Sequence, residues 1–328
     1  MREALWAKRP LVKTIGLRGT LHLLPSQEVP LWMAANRLRM PAEEPRLSRV
    51  GLNRADLDAV VDAIADFVGP EPITRPDLER ELEARVGGWA IKTNTGWMGS
   101  YRNWPMALGW AAALGRVCYG PGDGGRSTFV SLDDWSGWRE EEPMEAGVFA
   151  LRRFLRAYGP STQPEFSRWF ALEPGITRRL FEAVTDELED VDVEGSRRWQ
   201  VKSDAEPLIA TEPDAVHLLP HFDVYVVGFH PRSELMPAGS LVAEASAGTR
   251  RRQQGTAAPL SVLLVGGRVA GVWERRPKGK KLLVRVDAHR ALNRRQRSSV
   301  EAQTYRVAQI LERELELEFG EVPLKFHP

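Results

Sequence analysis

The segment Pro72-Ile-Thr-Arg-Pro-Asp-Leu-Glu-Arg80 returns 88 residues later as Pro160-Ser-Thr-Gln-Pro-Glu-Phe-Ser-Arg168. In each copy a threonine precedes the second proline by two positions, and an acidic residue follows that proline directly. Threonine suits the N-cap of a helix, proline fits the first turn, and an acid there meets the positive end of the helix dipole. Each copy therefore predicts the start of a short helix, after Thr74 and after Thr162.

The sequence around the second copy has the element order of a winged helix. Apolar residues at helical spacing predict helices over 146–158 and 176–188, on either side of the short helix. Two alternating segments, 191–193 and 199–201, flank a turn at 194–197 and predict a hairpin. Three helices followed by a hairpin predict a winged helix.

The first copy has the same order. Its elements are a helix over 55–68, the capped helix from Pro76, a third helix over 104–114, and strands over 116–119 and 128–131. Residues 1–7 and 11–24 resemble only the end of a third helix and its hairpin. We expect such a start from a truncated chain, a misassigned first residue, or a family that has lost its N-terminus.

Beyond residue 209 the pattern changes to short apolar or alternating segments between turns, as in a small sheet or barrel. They predict strands over 224–228, 260–265, 268–273 and 282–287, followed by a final helix over 298–317. The predicted fold class is α+β, with tandem winged-helix units followed by a small C-terminal β-barrel and a terminal helix. The predicted domains are a partial winged helix (1–50), two winged helices (51–140 and 141–205) and the barrel with its helix (206–328).

Composition excludes several classes of protein. The 328 residues are 43% hydrophobic and 27% charged, which excludes a disordered or collagen-like chain. Cys118 is the only cysteine, so no intrachain disulfide and no cysteine zinc site is predicted. No signal peptide or membrane span is predicted, and we expect a cytoplasmic protein. The glycines of 120–125 lack the strand-glycine-helix order of a phosphate loop, so no nucleotide or other cofactor is predicted.

Charge is segregated along the chain. Residues 249–299 contain fourteen Arg and Lys against only Glu274 and Asp287. Two basic loops, 249–255 and 274–281, contribute most of these cations, and such a patch predicts salt-sensitive binding to a polyanion. A solvated loop without a partner is the alternative.

The third helices of the two copies differ in charge. The third helix of the second copy carries an excess of acidic residues and is expected to be scaffold or a protein interface. Before the third helix of the first copy, Lys92, Arg102 and Asn103 interleave with tryptophans, a composition suited to DNA contact. In the alternative, the tryptophans fill the domain core and the cations are only solvated.

Three motifs resemble those of the AlkZ-like winged-helix DNA glycosylases, which remove alkylated bases and unhook interstrand cross-links. They are Arg18-Gly-Thr-Leu-His-Leu23, Leu218-Leu-Pro-His-Phe-Asp223 with Arg232-Ser233 after it, and Gly266-Gly-Arg-Val-Ala-Gly-Val-Trp273. The resemblance spans nearly the whole chain and implies a basic, concave face that binds double-stranded DNA, alkylated or cross-linked. A protein of this kind is expected at the nucleoid.

The resemblance also implies a catalytic motif, Gln-apolar-Gln or similar, before the Arg-Gly-Thr hairpin, and the sequence from Met1 contains no counterpart. The chain is therefore expected to lack that catalytic segment. Asp223 and His22 are the candidate catalytic residues that remain. Asp223 has the alternative of capping a helix or pairing with Arg232, and His22 that of a satisfied hairpin residue.

The sequence thus predicts a DNA-binding repair protein related to DNA glycosylases, and a non-catalytic binding module, either a regulator or a lesion-shielding protein, is the alternative. Sequence-independent recognition is expected, because a hairpin with Arg and Lys at its tip can follow phosphates without reading bases. The predicted DNA contacts are Arg18, Thr20, Lys92, Arg102, Asn103, Arg232, Arg250, Arg251, Arg252, Arg275, Arg276, Lys278, Lys280 and Lys281.

Overall fold

The computed structural model describes residues 2–40, 47–48, 51–96, 99–123, 125–136, 138–204, 212, 214–229, 232–236 and 260–322. The chain divides into two compact units, Met1–Ala205 and Glu206–Pro328. The predicted α+β class is confirmed, because helices and sheets occur in both units. The finer division of the first unit at residues 50 and 140 stays a prediction.

Helices and hairpins alternate along the first unit, after a short helical turn at Glu3–Ala7. Its elements are β1 (Leu11–Ile15), β2 (Leu21–Pro25), α1 (Val29–Arg37), α2 (Arg54–Phe67), β3 (Ile73–Thr74), α3 (Arg75–Val86), β4 (Thr93–Gly96), β5 (Gly99–Arg102), α4 (Pro105–Ala113), β6 (Cys118–Asp123), β7 (Arg126–Val130), α5 (Leu132–Ser136), α6 (Pro143–Tyr158), α7 (Gln163–Phe170), α8 (Pro174–Ala183), β8 (Leu188–Val193) and β9 (Ser196–Val201).

Both predicted helix starts are confirmed. Thr74 Oγ1 accepts a hydrogen bond from the amide of Asp77 at 3.4 Å, and Thr162 Oγ1 accepts one from the amide of Glu165 at 3.3 Å. Glu165 in turn accepts from the Thr162 amide at 2.9 Å, which completes a capping box. Because these bonds satisfy amides that a helix leaves free, α3 and α7 begin where the repeat places them.

The residue before each capped helix also joins a hairpin. In the first copy β3 pairs with β7, which gives a three-stranded sheet in the order β3-β7-β6. In the second copy Ser161 exchanges two backbone hydrogen bonds with Trp199 of β9, at 2.9 and 2.7 Å. The two copies are therefore built alike at this point, although only the first forms a strand there.

One hydrophobic core runs through the first unit, from Val12 to Val201. Aromatic rings of the second copy form a contiguous cluster within it. Phe154 packs against Phe166 and Trp169 with ring centroids 5.2 and 5.0 Å apart. Such rings remove a large apolar area from water, and their burial contributes to the stability of this unit.

The second unit is a five-stranded sheet with a helix packed on one face. Val300 and Ala308 of the helix lie in the same core as Val284 and Val286 of the sheet. The elements are β10 (Val216–Leu219), α9 (Val224–Gly228), α10 (Arg232–Leu235), β11 (Val262–Val265), β12 (Arg268–Lys278), β13 (Lys281–Ala288), α11 (Arg294–Ile310) and β14 (Glu314–Phe319).

The predicted closed barrel is wrong for the part of the second unit that the structure describes. The strand order is β10-β11-β12-β13-β14, and the β13–β14 pair is the parallel one. Because α11 crosses the sheet and places β14 beside β13, the first and last strands lie at opposite edges and do not meet. The sheet is therefore open.

Two other predictions for the second unit are corrected. Residues 224–228 form a helix rather than a strand, because the Asp223 carboxylate accepts from the Tyr225 amide at 2.9 Å and caps it. The terminal helix ends at Ile310 rather than at 317. The following Glu314-Leu-Glu-Leu-Glu-Phe319 alternates with a period of two, which suits a strand whose leucines pack, partly buried, against the core of this unit.

Candidate nucleic-acid interface

The turn between β1 and β2 holds Arg18 in an uncommon conformation. Arg18 has φ 56° and Gly19 has φ 70°, in the left-handed region that glycine adopts readily and arginine does not. The turn is fixed by its own hydrogen bonds, from the Gly16 amide to the Thr20 carbonyl at 2.8 Å and from the Thr20 hydroxyl to the Leu17 carbonyl at 2.9 Å. The turn thus fixes the backbone position from which the Arg18 side chain extends.

Arg18 is a half-buried cation. Burial lowers the pKa of its guanidinium from the ordinary value, and the Tyr158 phenol partly offsets the effect. The group stays charged at neutral pH, because an arginine pKa lies far above 7. No acidic side chain of the described residues lies within ion-pair distance of it. A partly desolvated cation of this kind attracts an external anion, and phosphate fits its planar fork.

His22 lies next to this turn and is a neutral imidazole at neutral pH. Burial is the main cause that lowers its pKa, the Arg18 charge lowers it further, and a hydrogen bond with the Thr20 backbone opposes the shift. The Nδ1 atom lies 2.9 Å from the Thr20 carbonyl oxygen. Because a carbonyl can only accept, Nδ1 carries the proton and Nε2 keeps a lone pair. His22 can therefore accept a hydrogen bond from water or substrate.

Asn36 of α1 is a candidate site residue that was not predicted from the sequence. It is 6% exposed, and its Oδ1 has no hydrogen-bond partner in the described chain. The residue lines a cleft of about 20 Å³ together with Gly16 and Gly19 of the Arg18 turn and Gly109 of α4. That volume holds about one water molecule. No local pattern signals it, because the unpaired oxygen results from how α1, α4 and the turn pack.

The residues predicted to contact DNA at the β4–β5 hairpin have two different roles. The Lys92 side chain is exposed, and no described acid pairs with it. Arg102, in contrast, donates to the Ile91 carbonyl at 2.7 Å and lies 3.2 Å from Glu79. Asn103 is buried and donates to the Trp89 carbonyl at 2.8 Å. Arg102 and Asn103 therefore support the hairpin, and Lys92 extends from it.

The tryptophans near this hairpin fit the alternative interpretation where the structure describes them. Trp104 is buried, and its indole nitrogen donates to Glu79 at 3.1 Å. The Trp89 indole donates to the Val86 carbonyl at 2.8 Å. The Trp104 ring belongs to the core, and the partly buried Trp89 ring packs against it.

In the second unit, the turn after β10 carries the Pro220-His-Phe-Asp223 motif. Asp223 caps α9, as described above, and His221 Nδ1 lies 3.0 Å from the Ser261 hydroxyl. Phe222 has φ 59° and is 63% exposed. The alternative of a capping role for Asp223 is thus what the structure shows; the Arg232 side chain lies outside the described part of the chain.

The β12–β13 hairpin is the predicted basic loop 274–281, and most of its cations are paired with acids on one face of the sheet. Lys278 Nζ lies 2.7 Å from Glu316, and Lys281 Nζ lies 3.9 Å from the same carboxylate. Arg276 lies 2.8 Å from Glu274. The hydrogen bond between Lys278 and Glu316 raises the pKa of Lys278 and lowers that of Glu316.

Arg275 and Lys280 differ from these cations. Both are exposed, and neither lies within 4 Å of an acid in the described ranges. Arg275 pairs across the strands with Val284, whose side chain is on the α11 face, so it points away from Glu274 and Glu316. Lys280 is at the hairpin tip, beside the open cleft that Glu312 and Glu314 also line. Among the cations of this hairpin, these two lack an ion pair with the described residues and are available to a polyanion.

The remaining predictions concern residues that the structure does not describe or features that it does not test. Arg250, Arg251 and Arg252 lie outside the described residues. Within the described ranges, no three His, Cys, Asp or Glu side chains are grouped as metal ligands would be. No described helix combines the length and the apolar composition that crossing a bilayer requires.

Comparisons with known proteins agree on one relationship. The profile of the family described as DNA glycosylase AlkZ-like matches residues 1–310. An interstrand DNA cross-link repair glycosylase of Streptomyces sahachiroi is 32% identical over 277 residues, which cover 80% of this chain and 70% of the relative. The solved structure of the Streptomyces sahachiroi DNA glycosylase AlkZ gives a TM-score of 0.72 at 27% identity, over 97% of this chain and 84% of that one.

Proposed function

The chain belongs to the family of AlkZ-like DNA glycosylases, and from this premise we propose that it binds double-stranded DNA and releases alkylated or cross-linked bases from it. The observation that carries the proposal is the Arg18 turn. There a half-buried cation, for which the described residues supply no acidic partner, lies beside a neutral histidine with a free Nε2 lone pair. The first suits a DNA phosphate and the second suits a water molecule.

Release of an N-alkylated base requires few catalytic groups beyond these two. An N-alkylated purine is already positively charged, so the bond between base and sugar breaks without prior protonation of the base. What remains is to hold the sugar in place and to position a water for attack on its C1′ carbon. In the proposed mechanism Arg18 holds a phosphate of the damaged strand, and His22 Nε2 accepts a proton from the water as it attacks. Lys92, Arg275 and Lys280 bind further phosphates.

We also propose that both copies of the repeat are winged helices. The element order of each copy supports this assignment: two helices, a third helix and a hairpin that pairs with the residue before the capped helix. In the second copy Asp186, Glu187, Glu189 and Asp190 would repel phosphate, so this copy is assigned a structural role. The Arg18 hairpin and the first copy provide the DNA surface of the first unit.

A non-catalytic DNA-binding module, either a regulator or a lesion-shielding protein, remains the second candidate. The observation that favours it is Asp223, the best-placed carboxylate of the sequence prediction, whose oxygen is already engaged as the cap of α9. The two candidates therefore differ in whether His22 is sufficient for base release.

The test is release of 7-methylguanine from an alkylated duplex by the wild type and His22→Gln, with His217→Gln as the matched control. His217 is an exposed histidine of the second unit. We expect His22→Gln to slow release about 100-fold, the typical value of a general base, with unchanged duplex affinity and melting temperature. Equal rates for both variants would contradict the role of His22. No release by a wild type that binds the duplex would establish the non-catalytic candidate.

Asp223 allows a separate check, because asparagine caps helices about as well as aspartate. We expect Asp223→Asn to release bases at the wild-type rate and Asp223→Ala to lose about 1 kcal/mol of stability with the cap. Loss of base release in Asp223→Asn at unchanged stability would instead make the carboxylate catalytic.

A further inference from the structure

We propose that Phe222 is an aromatic wedge that stacks on the N-alkylated base of the bound duplex. This inference rests on the proposed function, since it needs a duplex to be bound. It adds to that function a residue that contacts a base rather than a phosphate, and every residue from which it is argued belongs to the second unit.

The conformation of Phe222 is costly and its position contributes little to folding. Its φ of 59° is in the left-handed region, where the Cβ atom of a bulky residue approaches the backbone. The ring is 63% exposed, and the neighbouring Val224 is 59% exposed. An aromatic side chain that remains in water gains little hydrophobic stabilisation. Strain of this kind, held by the surrounding structure at an exposed side chain, is typical of a functional position.

The surrounding structure holds the turn firmly. The Asp223 amide donates to the Pro220 carbonyl at 3.3 Å, and the Asp223 carboxylate caps α9. His221 contacts Ser261 on one side and approaches the Phe222 ring edge-on, with 6.2 Å between centroids. The Phe222 ring is thus presented to solvent by a turn that is fixed at both ends.

The turn lies at the same end of the sheet as the cationic hairpin. Leu219, the last residue of β10, is level with Val262 of β11, and Val262 is level with Val272 of β12. Because β10 and β12 run in the same direction, β12 continues past the Phe222 turn as far as Lys278, a reach of roughly 15 to 20 Å. The Trp273 indole donates to the Leu219 carbonyl at 2.9 Å and joins the base of the hairpin to the turn.

This placement suits a duplex. Arg275 and Lys280 extend to where they can meet the phosphate backbone, and Phe222 is at the base of the same hairpin. Aromatic and other apolar side chains stack on unstacked bases or insert between base steps of distorted DNA. An N-alkylated purine is positively charged, and the negative face of an aromatic ring attracts a cation. Phe222 therefore favours an alkylated base over an unmodified one.

The test compares two duplexes of one sequence, with guanine or with 7-methylguanine at the centre. A 2′-fluoro sugar keeps the damaged base attached during the measurement, and a neighbouring 2-aminopurine reports stacking by its fluorescence. Phe222→Asn removes the ring but tolerates the left-handed backbone, and Phe222→Tyr keeps the ring. Tyr305→Ala is the control, because Tyr305 is an aromatic side chain of the same unit with 57% exposure.

We expect Phe222→Asn to bind the damaged duplex about tenfold more weakly than the wild type, in the range of a lost base–aromatic stack, and to abolish the fluorescence change. Phe222→Tyr and Tyr305→Ala should both behave as the wild type. The melting temperature of Phe222→Asn should be equal or higher, since the left-handed strain is relieved.

Two results overturn the inference while the proposed function stands: unchanged affinity and fluorescence for Phe222→Asn, or an equal loss for Tyr305→Ala. A third result has a different meaning. A wild type that binds neither duplex contradicts the proposed function, and the role of Phe222 fails with it.

Discussion

The two faces of the C-terminal sheet differ in whether their cations form ion pairs. On one face Arg276, Lys278 and Arg285 form ion pairs with carboxylates of β12 and β14. On the other face Arg275 stands opposite Val284, and among the described residues no acid pairs with it. The comparison teaches that a count of charges along the chain overestimates a binding surface, because strands that are distant in sequence supply the counter-ions.

The largest expected effect comes from the cations that the fold leaves unpaired. We expect Arg275→Ala combined with Lys280→Ala to weaken binding of an undamaged duplex by about tenfold or more near 0.1 M salt, since two phosphate contacts are lost. Fluorescence anisotropy with a labelled duplex measures the change.

The matched control removes the same charge from the paired face, as Arg276→Ala combined with Lys278→Ala. We expect a smaller loss, because these side chains are already bonded to Glu274 and Glu316. Equal losses for the two double variants would show that the faces do not differ, and the comparison would be wrong.

An intermediate effect is expected from the opposite change. Glu316→Gln removes the carboxylate that Lys278 and Lys281 share and frees both cations. We expect duplex affinity to rise by roughly two- to fivefold, since the gain is limited to cations that already lie near the surface. Glu321→Gln is the control for the charge change, because Glu321 is exposed and forms no ion pair with a described residue. An equal rise in both variants would mean that net charge alone matters.

The smallest effect concerns His22, a cation only at low pH. Burial lowers its pKa in the folded state below the ordinary value of 6.5, so the unfolded chain takes up a proton first as the pH falls. The stability that His22 contributes is therefore present above pH 6.5 and is lost as the pH falls below it. We expect the melting temperature of the wild type to fall by about a degree more than that of His22→Gln between pH 7.5 and 5. Parallel curves would indicate an ordinary pKa.

The sequence predicted those elements that local chemistry determines. The helix starts at Thr74 and Thr162 depend on bonds to residues three positions away, and they were confirmed. The α+β class follows from the change in hydrophobic period beyond residue 209. The strand predicted at 224–228 was wrong for an equally local reason, since the cap at Asp223 outweighs a run of β-branched residues.

The rest could not be predicted because it depends on contacts between distant segments. The ion pair of Lys278 with Glu316 joins residues 38 positions apart and follows from the parallel pairing of β13 with β14. The unpaired oxygen of Asn36 depends on the packing of α1 against the Arg18 turn and α4. The lone pair of His22 depends on which hydrogen bond its other nitrogen makes.

The most direct test of the central claim, that the unpaired cations bind the duplex, is a salt titration of duplex affinity for the wild type and the two double alanine variants. The logarithm of the association constant should fall linearly with the logarithm of the salt concentration, with a slope of about 0.9 per phosphate contact. We expect the slope to be shallower by about 1.8 in Arg275→Ala/Lys280→Ala and nearly unchanged in Arg276→Ala/Lys278→Ala. A wild-type slope near zero, or the larger change in the second variant, would contradict the claim.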